Sequence, residues 1–81
     1  MITAAIKMIE DAIADGHFLQ LHSPSGQHDI DEIEAIDAVQ MTRDEIRISG
    51  STIIFGSGDV CIEIADPDDY NADASNHVTG E

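Results

Sequence analysis

This sequence predicts an α+β fold: an N-terminal amphipathic helix and a second short helix packed on one face of a small antiparallel sheet. Three observations lead there. Apolar residues recur at helical spacing over the first fifteen positions, an Asp-x-x-Glu signal opens a second apolar-spaced run near position 30, and from about position 38 the period shortens to two.

The first helix is the clearest element. At about 100° per residue, Ile2, Ala5, Ile6, Ile9, Ala12 and Ile13 form one stripe, with Lys7, Glu10, Asp11 and Asp15 elsewhere; Gly16 stands where a helix ends. HFLQLHS, residues 17–23, alternates Leu19 and Leu21 and reads as an early strand, with His17 and His22 on opposite faces. SPSGQHD, residues 23–29, reads as a loop from its Pro, Gly and Ser. Asp29 followed by Glu32 resembles a capping box, and Ile33, Ile36 and Val39 then suggest the face of a short helix. Beyond it, AVQMT, EIRIS, STIIF and DVCIEIA predict a meander of three to four strands, with turns at Arg43-Asp44, Gly50-Ser51 and Gly56-Ser57-Gly58. The opposite strand face carries Glu45, Arg47, Asp59, Cys61 and Glu63 and should meet water. Residues 1–65 are expected to be a single domain, and 66–81 an acidic, flexible C-terminal tail.

A chain of 81 residues has room for one core. Thirteen isoleucines and only Phe18, Phe55 and Tyr70 as aromatics make that core aliphatic. The charge is the outlying property: 17 acidic residues against Lys7, Arg43 and Arg47 give a formal net charge of −14. Direct nucleic-acid binding is therefore not expected, because such binders neutralise phosphates with Lys and Arg, and an anionic membrane would repel the chain as well. A basic protein surface is the partner such a charge favours. The single Cys61 has no internal disulfide partner, which suits a reducing cytoplasm.

Chemical motifs are incomplete throughout, so no enzyme activity and no cofactor are expected. Asp69, Asn71 and Asp73 match the opening of a calcium loop, but its glycine position holds Ala74 and its bidentate glutamate position holds Gly80. The histidines lack the paired spacing of a zinc site. Cys61 has no base in evident register to activate it. The glycines of GSTIIFGSGD lack the Lys and following helix of a phosphate loop. No catalytic, cofactor-binding or metal residue is assigned.

What remains is the acid itself. DIDEIEAID places Asp29, Asp31, Glu32, Glu34 and Asp37 within nine residues, and ADPDDYNAD adds Asp66, Asp68 and Asp69; these eight are the candidate partner-binding residues. With these acidic stretches, its small size and a single α+β domain, the chain resembles the small phage anti-CRISPR and DNA-mimic inhibitors. That resemblance implies a non-enzymatic mechanism in the host cytoplasm: occupying the nucleic-acid groove, or an adjoining basic patch, of a CRISPR effector complex and excluding target DNA. The alternative is a small acidic adaptor or antitoxin-like module that binds a protein through the apolar face of the N-terminal helix.

Overall fold

The computed structural model describes residues 1–66. Two helices and five strands follow in the order α1 (Ile2–Ala14), β1 (Phe18–Ser23), β2 (Gly26–Ile30), α2 (Glu32–Met41), β3 (Ile46–Ser49), β4 (Thr52–Phe55) and β5 (Val60–Ala65). The strands form one antiparallel sheet in the order β2-β1-β5-β4-β3. The β1–β2 hairpin and the β3–β4–β5 meander are thus joined where β5 pairs with β1, and α2 runs from one edge strand to the other. None of the described helices is long and apolar enough to cross a membrane.

Helix α1 ends as its sequence predicts. Gly16 adopts φ 80, and the amides of Gly16 and His17 donate to the carbonyls of Ile13 (3.0 Å) and Ala12 (2.8 Å). This pair of bonds is a Schellman motif, and the left-handed residue it needs is most easily a glycine. The chain then reverses directly into β1.

Alternation on the strands decides which sheet face is covered. Leu19, Ile46, Ile53, Phe55 and Ile62 point to one side and are buried, together with Ala5, Ile9 and Ala12 of α1 and Ala35 and Val39 of α2. Both helices therefore lie on the same face, in contact with each other. The small buried residues Ala5, Ala12 and Ala35 suit a close approach of the two axes. Fully burying each of Ile9, Leu19, Ile53 and Ile62 is worth about 1.5–3 kcal/mol relative to exposure.

Three local expectations are corrected. Residues 26–30 are not loop but strand β2, paired along its whole length with β1 from Ser23↔Gly26 to Leu19↔Ile30. Pro24 and Ser25 form the two-residue turn between them. Pro24 fixes its own φ near −65°, and Gly26 at φ 129 brings the chain back into register. The AVQMT segment is not a strand but the end of α2. Residues two apart share a face in a strand but stand about 200° apart on a helix, so Val39 is buried while Met41 is 78% exposed. Ile33, assigned to the inner helix face, is instead 71% exposed, and Ala35 and Val39 make the buried contact.

Self-repulsion at a net charge of −14 opposes this compact arrangement. Raising NaCl from about 20 mM to about 500 mM is expected to raise the melting temperature by about 5 °C, as screening removes that repulsion. Thermal melting followed by circular dichroism checks this, and a fall in melting temperature would show that the repulsion is not a significant destabilising term.

Candidate protein-interaction surface

The candidate acidic residues sit where β2 passes into α2. Asp31 is the N-cap: its Oδ1 accepts from the Glu34 amide at 2.7 Å, while Glu34 Oε1 accepts from the Asp31 amide at 3.1 Å. This is a complete capping box, two residues later than the Asp29–Glu32 pair suggested by the sequence. Both pairs satisfy the same spacing, and the sheet decides between them. Asp29 is held in β2 opposite Gln20, whose Nε2 donates to its carboxylate at 3.4 Å. It cannot begin a helix while paired in a ladder.

The cap makes part of this acidity structural. Asp31, Glu32 and Glu34 lie at the positive end of the α2 dipole, where carboxylates stabilise a helix. Replacing Asp31 with Ala is expected to lower stability by about 1 kcal/mol, while Asp31→Asn stays within a few tenths because the amide oxygen still caps. Paired denaturant melts test this; equal losses would mean that charge, not the cap bond, carries the effect. Asn and Gln replacements therefore remove charge here without removing the helix start.

Asp37 is exposed, on the side of α2 away from the core, and its side chain has no hydrogen-bond or ion-pair partner among the described residues. Glu32 is half-buried on the flank of the helix, and Asp29, Asp31 and Glu34 are exposed. The described ion pairs lie elsewhere: Lys7 with Asp11 on α1 at 3.4 Å, and His22 with Glu63 at 3.2 Å. Arg47 reaches the Gly56 carbonyl at 3.4 Å. The acids of 29–37 thus face solvent without a basic partner from the described chain.

Sheet register brings a distant acid to the same end of the molecule. Leu19 pairs with Ile30 on one side and Ile64 on the other. Asp31 and Ala65 therefore leave the sheet at one end, two strand spacings or about 10 Å apart, and the exposed Asp66 follows. Asp68 and Asp69 lie outside the described residues, as do Asn71 and Asp73 of the calcium-like spacing. Glu63, which sequence reading treated only as a solvent-facing strand residue, joins the edge of this surface. It and Asp29 flank Gln20 on the open face of the sheet.

That open face also revises the reading of Cys61. The ladder sets Cys61 directly opposite His22, so a base does lie on the neighbouring strand. With Thr52 and Glu63 they line an open depression of about 260 Å³. His22 Nε2, however, is turned toward Glu63 at 3.2 Å, close enough for an ion pair when the ring is protonated but not aligned as a hydrogen bond. The Cys61 thiol is free and has no hydrogen-bond partner among the described residues. Among the described residues, no three His, Cys, Asp or Glu side chains converge as a metal site would require.

Comparison with protein-family models, curated proteins and solved structures finds no match to this chain.

Proposed function

We propose that this protein is a non-enzymatic inhibitor that binds the Lys- and Arg-lined nucleic-acid surface of a bacterial defence complex, of the CRISPR-effector kind, and excludes target DNA by acidic mimicry. The observation that supports it most is the exposed cluster of Asp29, Asp31, Glu34 and Asp37, with Glu32 half-buried beside them, without basic partners among the described residues. From Asp31 to Asp37 the helix rises about 9 Å and carries four carboxylates, a mean axial spacing of about 3 Å. Duplex DNA carries one charge per about 1.7 Å, so a groove built for phosphates meets about half that linear charge density here. Asp66 extends the surface from the other side of β1, and Asp68 and Asp69 add charge next to it in sequence.

The adaptor reading relied on the apolar face of α1. Ala5, Ile9 and Ala12 of that stripe are taken up in the core, leaving Ile2 and Ile13 partly exposed at its two ends.

Capture from a bacterial lysate at two salt concentrations tests the proposal. A nucleic-acid-binding complex should be retained at about 100 mM NaCl and released at about 500 mM, where the Debye length falls to only a few ångströms. Retention that ignores salt, or a partner with no basic surface, would overturn it.

A further inference from the structure

The exposed ridge of α2 carries a feature that acidic mimicry does not use. Asp37 lies about 160° around the helix from both Ala35 and Val39, so it points away from the core. Ile33 and Met41 stand one turn before it and one turn after it, each displaced by only about 40°. They are 71% and 78% exposed, the two most exposed large hydrophobic side chains among the described residues. Single exposed apolar residues are ordinary; here two of them, about 12 Å apart along the axis and about 80° apart around it, flank one carboxylate. Gln40 and Glu34 border it, both exposed.

We infer that the Ile33–Asp37–Met41 ridge is a docking surface for a cationic, apolar segment of a protein partner, with Ile33 and Met41 as anchors and Asp37, with Glu34 beside it, meeting a Lys or Arg between them. Charge complementarity selects this occupant. A net charge of −14 repels a second copy of the chain and any anionic surface, while a basic amphipathic segment satisfies both the carboxylates and the two apolar side chains. The inference rests on the proposed binding to a basic partner and adds that the contact has an apolar component, which salt does not screen.

Two synthetic peptides of equal charge serve as probes, one with Lys and Leu at helical spacing and one with Lys and Ser. Calorimetry is run on the full chain, on I33S/M41S and on E34Q/D37N, at about 150 mM and about 500 mM NaCl. The Lys/Leu peptide should bind at least about tenfold more tightly than Lys/Ser, and that ratio should hold at the higher salt even as screening weakens both peptides. I33S/M41S should erase that difference, and E34Q/D37N should weaken both peptides. Since all four replaced side chains are exposed, thermal melts of the variants serve as the folding control, and I33A/M41A repeats the test with better helix formers. Equal binding of the two peptides to the native chain, or a difference that survives in I33S/M41S, overturns the ridge while leaving the charge-based function standing. Failure of both peptides to bind overturns both. A dimer in sedimentation that dissociates in I33S/M41S would also overturn it, because the ridge would then serve a second copy.

Discussion

Ile62→Ala is expected to lower stability by about 3 kcal/mol, within the range of about 2–5 kcal/mol for truncation of a buried isoleucine. Ile62 is fully buried in β5, the central strand, between Leu21 of β1 and Ile53 of β4. β5 joins the hairpin to the meander, so a cavity at this point loosens both halves of the sheet together. A chain of this length has a net stability of about 4–12 kcal/mol, so the loss is a quarter or more of the total. Urea unfolding measures it, with Ile33→Ala as the matched control. The same atoms are deleted there from a side chain 71% exposed, and the change should stay within about 0.5 kcal/mol. Similar losses at the two sites would contradict the division between core and surface described above.

The second large effect concerns the proposed partner. Replacing Asp29, Asp31, Glu32, Glu34 and Asp37 together by their amides removes five negative charges yet keeps the capping box, since Asn caps and Gln completes the box. The fold should survive, with a melting temperature equal to or above the native one as repulsion falls. If each lost ion pair contributes about 0.2–1 kcal/mol, affinity for the captured partner falls by about 5-fold to about 5000-fold. The variant must be compared with the native chain at low salt, where these terms are largest. Unchanged affinity would remove this surface from the interface, whatever the partner proves to be.

These expectations rest on parts of the molecule that differed in how clearly the sequence announced them. α1 was legible because an uninterrupted stripe is closed by Gly16, and only one reading fits both signals. The meander was legible because Ile46, Ile48, Ile53, Phe55, Ile62 and Ile64 alternate cleanly between glycine turns. β2 was not, because GQHDI holds one large apolar residue. It is an edge strand specified by its hydrogen bonds to β1, a nonlocal cause that a local pattern cannot reveal. The same cause moved the helix start. Once Asp29 is paired with β1, Asp31 is the next residue able to cap, and the true inner face shifts to Ala35 and Val39.

The acidic residues themselves were evident from composition, but two features of their arrangement required the fold. Asp66 comes to the Asp31 end of the sheet only because β5 pairs with β1. Ile33 and Met41 become an exposed pair only when α2 continues through Met41. Sequence periodicity alone places one in the core and the other in a strand, which hides both as contact residues.

Competition by duplex DNA tests the acidic-mimicry mechanism most directly. A complex of this protein with its captured partner is titrated with duplex DNA at fixed, low salt, and the bound fraction is followed by fluorescence anisotropy of the labelled protein. Mutual exclusion predicts that DNA displaces the protein and that added protein shifts the apparent DNA affinity in proportion to its concentration. A ternary complex in which DNA and protein are bound together, each with its affinity unchanged, would contradict the mechanism.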